Sequence, residues 1–277
     1  MSLPSLPIAV FDSGLGGLSV AQPIRARLPH ASLLYFADCG WAPYGDRPQS
    51  VILARVRDIT DWLIGQQVCA VVVACNTATT IAISALREDH PEMPLVGVEP
   101  GVKPAVMASR SRVVGVLATQ ATLRTQSFQA LLAKYAADCR FVCQAGHGLV
   151  ALIEAGGLDT PALDALLQRY LDAMLRDGVD TLVLGSTHFP LLIPAIERRY
   201  GDAFTLIETG SAVANRLVSV LEAKWPGSTG AGDEPSGVGA IRLCSSLASP
   251  ALEALSTRLL SYVGPAEIIS FGESAAR

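Results

Sequence analysis

Residues 71–79 read VVVACNTAT and residues 182–190 read LVLGSTHFP. Each begins as an apolar run and stops at a small reactive side chain, Cys75 in one and Ser186 in the other, followed at once by polar residues. A strand with one wet face alternates apolar and polar residues, but these runs do not alternate. The same holds at 8–11 (IAVF), 33–37 (LLYFA), 95–98 (LVGV) and 113–117 (VVGVL). Unbroken apolarity over four or five residues is the pattern of a strand covered on both faces, and so of a parallel sheet between layers of helix.

Between these runs the spacing turns helical. Residues 18–28 read as a helix, and 51–64 places apolar residues at 51, 52, 56, 59 and 63 with polar ones between. Further strands are expected at 181–184, 204–207 and 241–243, and a helix that packs back on a core at 252–260. The alternation predicts an α/β fold with largely parallel sheets flanked by helices. In such folds ligands bind beyond the carboxyl ends of the strands. A faint internal repeat accompanies the pattern: Asp12 and Thr119 lie 107 positions apart, Cys75 and Ser186 111. Two similar domains are therefore expected, with a boundary near 99–104 (EPGVKP), where prolines interrupt regular structure. The stretch 225–239 (WPGSTGAGDEPSGVG) reads as an exposed, mobile loop.

At 277 residues and 50% hydrophobic content the chain can fill one large core or two medium ones without disulfides. Lys and Arg total 21 against 25 Asp and Glu, with no dense basic tract, which argues against nucleic-acid binding. No run of eighteen apolar residues is present, and the opening MSLPSLP has neither a basic nor a long apolar region, so a cytoplasmic protein without membrane segments is expected. The six cysteines show no paired metal-binding spacing and read as reduced thiols, Cys69 as a filler of apolar space; the four histidines are scattered. No metal site is expected.

Cys75 sits at a strand end ahead of Asn76 and Thr77, where helix-terminal N–H groups favour a thiolate. A reactive thiol is the better reading, a structural one the alternative. Asn76 and Thr77 offer neutral donors suited to a carboxylate or phosphate; otherwise one of them caps the next helix. Asp12, in the loop DSGLGG (12–17), either orients a base or serves as an N-cap. Its glycines permit a tight turn and a close approach by a ligand, but their order does not match the dinucleotide fingerprint GxGxxG. Ser186, Thr187 and His188 form a polar group that a buried strand end does not need for folding, and His188 is suited to proton transfer. The string GSTH lacks the second glycine of a hydrolase nucleophile elbow. If two halves face each other, Cys75 and Ser186 would approach one carbon from opposite sides, the geometry of a two-base stereoinversion.

Taken in order, DSGLGG (12–17), PYG (43–45), CNTAT (75–79), ATQAT (118–122), Glu154 at the end of LVALIE (149–154) and GSTHFPLL (185–192) resemble the glutamate racemases of the cofactor-independent, two-thiol aspartate/glutamate racemase family. The resemblance implies two α/β domains with the active site in the cleft between them, the C-terminal segment returning to the first. Domains of 1–99 with 210–277, and of 100–209, would follow. It implies that Cys75, associated with Asp12, removes the α-proton of D-glutamate, and that position 186 holds the opposite base, assisted by His188 and Glu154. Ser13, Pro43, Tyr44, Gly45, Asn76, Thr77, Thr119, Thr122 and Thr187 would bind the substrate. No pyridoxal phosphate or other cofactor is implied; a homodimer and a role in supplying D-glutamate for peptidoglycan are. The departure is Ser186, where the family has cysteine. A hydroxyl is a far poorer base than a thiol, so racemisation is expected to be strongly reduced. Aspartate or hydantoin racemisation is the competing enzymatic reading, and a catalytically silent binder of small acids the non-enzymatic one.

Overall fold

The computed structural model describes residues 6–227 and 237–271. Among the described residues, ten strands fall into two sheets. The first holds β1 (Ile8–Asp12), β2 (Leu33–Ala37), β3 (Ala70–Val73) and β4 (Leu95–Gly97), joined late in the chain by β9 (Ile241–Ser245) and the short β10 (Glu267–Ile268), in the order β10-β9-β2-β1-β3-β4. The second holds β5 (Val113–Ala118), β6 (Arg140–Ala145), β7 (Thr181–Gly185) and β8 (Thr205–Ile207), in the order β6-β5-β7-β8. Every pairing in both sheets is parallel.

The continuous apolar runs have the cause expected of them. Successive side chains point to opposite faces of a strand, and here both faces are covered. In β1, Ile8 and Val10 enter one buried cluster while Ala9 and Phe11 enter another. In the second sheet Leu117, Leu182 and Leu184 pack on one side, and Val114, Val116 and Val183 on the other. The cluster that takes Ile8 and Val10 also takes Leu117, Leu182 and Leu184, so apolar packing runs from one sheet into the other.

The four strands of the second sheet repeat the core of the first: β6-β5-β7-β8 matches β2-β1-β3-β4. In each, the chain leaves the first strand of the set for one neighbour and then crosses to the other side. The crossing opens a crevice between β1 and β3, and again between β5 and β7, at the carboxyl ends of the strands. Asp12 ends β1 and Cys75 follows β3; Thr119 follows β5 and Ser186 follows β7. The internal repeat read from residue spacing is thus a repeat of sheet topology.

One expectation needs correction, and one strand went unread. The prolines near 99–104 do not keep that segment irregular: Val102–Ala108 is helical, with Pro104 in its first turn, where no intrahelical N–H is needed. The strand β6 went unread because it lies at a sheet edge, with exposed or half-buried residues throughout. Within 225–239, residues 228–236 lie outside the described residues, while the helix Pro250–Leu260 forms as its spacing indicates.

Gly185, the last residue of β7, illustrates how closely the strand ends are fitted. A methyl group there would stand 2.9 Å from Ala118 Cβ and 3.2 Å from the Leu117 carbonyl oxygen. Gly185→Ala is therefore expected to destabilise the protein by about 1–3 kcal/mol through overpacking, read as a lower midpoint in urea unfolding. An unchanged midpoint would show that this strand end shifts freely.

Candidate active site

Cys75 and Ser186 line one cavity. Every site residue read from the sequence borders it except Asp12, Glu154 and Thr122, which stand directly behind the wall. Val150 borders it too. That residue was missed, although it lies four positions before Glu154 on the helix Leu149–Glu154 and shares its face. The cavity is small, about 10 Å³, room for about one water molecule. On the far side of Pro43 and Val150 lies an open groove of about 460 Å³ that reaches Glu154.

On the first sheet's side, Cys75 is the N-cap of the helix Asn76–Asp89: its Sγ accepts the Ala78 N–H at 3.5 Å, and the thiol donates to Ser13 Oγ at 3.4 Å. The cap is therefore the cysteine, and neither Asn76 nor Thr77 serves that purpose. Asn76 Oδ1 and Nδ2 are buried with no protein hydrogen bond, two polar atoms left for a ligand or solvent. Thr77 reaches across to the second sheet's side, sharing a hydrogen bond with Thr119 at 3.0 Å and with Thr122 at 3.4 Å. Thr119 caps the helix Gln120–Arg124 through the Thr122 N–H.

The helix-terminal N–H does pull the Cys75 pKa down, but it is outweighed. Burial, and next the nearby charge of Asp12, push the thiol up to about 12. Cys75 is thus a thiol at neutral pH in this structure. Asp12 is itself held above the usual carboxylate range, by burial first, against the lowering influence of His188.

Asp12 accepts the Gly17 N–H at 2.8 Å and the Thr187 hydroxyl at 3.2 Å, tying the end of β1 to the segment after β7. Ser19 donates to the Thr187 carbonyl at 2.8 Å. Glu154 does the same from the other direction: its Oε1 takes the Leu15 N–H at 2.8 Å and meets His188 Nε2 at 2.5 Å. Two of the DSGLGG glycines make room for these neighbours. A side chain at Gly14 would overlap the Glu154 carboxylate, and one at Gly16 the His188 ring.

His188 is buried, which alone would lower its pKa, but the hydrogen bond and charge of Glu154, with that of Asp12, raise it above its ordinary value. Its ring is committed to Glu154. Ser186 Oγ receives only the backbone N–H of His188, at 3.4 Å, so among the described residues no imidazole activates the serine and the hydrolase reading loses its base. Nor do three or more His, Cys, Asp or Glu side chains converge as a metal site among the described residues. No helix there is long and apolar enough to cross a membrane.

Comparison with known proteins gives this geometry a lineage. Residues 20–217 match the family model described as Asp/Glu/Hydantoin racemase. The chain is 50% identical over 269 residues to the glutamate racemase of Ralstonia nicotianae, covering 97% of this chain and 95% of that one. Among solved structures it resembles the Thermus thermophilus glutamate racemase in complex with β-chloro-D-alanine (TM-score 0.78, 33% identity, 96% of this chain and 98% of that one). It also resembles the Escherichia coli glutamate racemase in complex with L-glutamate and the activator UDP-MurNAc-Ala (TM-score 0.77, 32% identity, 92% and 95%). With motifs, two-sheet topology and cleft all in agreement, the chain belongs to the Asp/Glu/hydantoin racemase family.

Proposed function

We propose that the chain interconverts L- and D-glutamate without a cofactor, by proton transfer between two groups on opposite sides of the α-carbon, and that it supplies D-glutamate for cell-wall synthesis. The observation that carries the reading is that Cys75 and Ser186, each just past the crossing strand of its own sheet, border a single cavity. The half-chains around that cavity are taken as 1–99 with 210–277 on one side and 100–209 on the other.

Cys75 takes the α-proton of D-glutamate and the side chain at 186 works on the opposite face; run in reverse, the roles exchange. A thiol held up to about 12 supplies almost no thiolate to act as base until something offsets the burial and the charge of Asp12. The substrate's ammonium group is a cation of the right size, and placed near Asp12 it lowers both pKa values. The two carboxylates are received by neutral donors, Ser13, Asn76, Thr77, Thr119, Thr187 and the backbone N–H groups of Tyr44 and Gly45, which avoids the desolvation cost of a buried lysine or arginine. Because a cavity of about 10 Å³ has room for about one water, binding begins with the two sheets moving apart, and closing again excludes water from the carbanionic intermediate.

His188 and Glu154 act behind position 186. Their pair keeps a proton beside that side chain and holds the segment after β7 in place through Leu15. A serine there keeps the volume and hydrogen bonding of a thiol but ionises far less readily, which slows one of the two proton transfers.

Ser186→Cys is expected to raise turnover in both directions by roughly 10²–10⁴-fold, measured as paired racemisation of D- and L-glutamate by circular dichroism. Unchanged turnover with an intact fold would refute the assignment of position 186. For His188, NMR titration of the imidazole is expected to give a pKa above 6.5 in the parent and a lower one in Glu154→Gln, where burial is opposed only by the charge of Asp12. By linkage, the stabilisation from the parent's His188 charge is fully present below pH 6.5 and is lost as pH rises through the folded pKa. An unmoved titration in Glu154→Gln would show that the pair is not what holds the proton.

A further inference from the structure

Tyr44 and Gly45 border the cavity from the single 3₁₀ turn Tyr44–Asp46, too short to be fixed by its own hydrogen bonds. It is anchored from behind. The buried Tyr44 hydroxyl donates to Asp38 Oδ2 at 2.6 Å, and Asp38, fully buried just past β2, also receives both arms of Arg55: Nε to Oδ2 at 2.9 Å and Nη2 to Oδ1 at 2.7 Å. Arg55 projects from the helix Gln49–Gly65, and its guanidinium lies between two rings, 4.7 Å from the centroid of Trp41 and 4.5 Å from that of Phe271. Phe271 is held edge-on against Phe36 and Trp62, at 5.5 and 5.9 Å. In front, a methyl group added at Gly45 would stand 3.2 Å from Thr119 Cβ, so the turn closes directly on the second sheet's side.

A buried ion pair adds little stability over apolar residues of the same volume. What it does supply here is direction. A planar fork clamped between two rings has one orientation, and it fixes the carboxylate that fixes the tyrosine. Neither Arg55 nor Phe271 borders the cavity.

We propose that Arg55, sandwiched between Trp41 and Phe271, is a positioning residue for the substrate site: through Asp38 it fixes Tyr44 and sets the Pro43–Gly45 backbone that walls the cavity. The effect on substrate rests on the glutamate reading above; the effect on the turn does not. Arg55→Lys keeps the charge but loses the fork and the stacked plane, and Phe271→Ala removes one ring face while leaving the ion pair in place.

The test is hydrogen–deuterium exchange of the free protein together with calorimetric binding of D-glutamate, followed by kinetics in the Ser186→Cys background. In both variants the amides of 44–47 are expected to exchange roughly tenfold faster while those of the helix Gln49–Gly65 stay as in the parent. The Kd for D-glutamate and its KM are expected to rise about tenfold, with kcat changed much less, because the turn holds substrate and moves no proton. Unchanged exchange at 44–47 in both variants would overturn the proposal. Equal loosening of the helix and the turn would overturn it as well, since that is what a purely structural role produces. A loosened turn with unaltered glutamate affinity would overturn the link to the site. If the parent bound no glutamate at all, the functional reading would fail, and the exchange data would still decide what Arg55 does to the turn.

Discussion

In both sheets the chain runs one way from a central strand, then doubles back across it, and parallel pairing forces all strands to end on the same side. Everything at the site depends on that constraint being met twice and on the two crevices facing each other. It puts Cys75 and Ser186 on one cavity although 111 positions separate them. The apposition is then held by bonds between the halves: Thr187 to Asp12, Leu15 to Glu154, Ser19 to Thr187 and Thr77 to Thr119. Several of these use carboxylates that also bear on the proton chemistry, so closure and electrostatics are set by the same side chains.

Burial and those carboxylates act together on the ionisable groups of the site. Burial first, and then the charge of Asp12, raise the pKa of the Cys75 thiol, while the hydrogen bond and charge of Glu154, with the charge of Asp12, raise that of the His188 imidazole against its burial. On the proposed reading, a zwitterionic amino acid entering the site brings its ammonium cation beside Asp12, so the charge that activates Cys75 arrives with the substrate. Coupling activation to binding in this way limits idle reaction of the thiol.

The fold was legible because double burial leaves a plain mark: IAVF, LLYFA and VVVA are apolar at every position, and each proved to be an interior strand of a parallel sheet. The edge strand β6 left no such mark, having solvent where the others have neighbours. At the site, residues that border the cavity sit in short motifs at strand ends, and topology alone predicts where those ends converge. The remainder depends on contacts between distant segments. That Cys75 caps its own helix, that Gly14 and Gly16 make room for Glu154 and His188, and that Arg55 reaches Asp38 between two rings are matters of three-dimensional fit. Spacing carries no trace of them. Likewise, the N–H groups around Cys75 suggested a thiolate, and only the measure of its burial reverses that expectation.

The central claim is that the side chains at 75 and 186 serve opposite faces of one α-carbon, with the serine the weaker of the two. Incubating D-glutamate and L-glutamate separately in D₂O and following α-hydrogen loss by NMR addresses it directly. Deuterium should enter D-glutamate through Cys75 faster than it enters L-glutamate by roughly 10²-fold or more, the scale of a missing general base. Equal exchange of the two enantiomers would contradict the opposed arrangement.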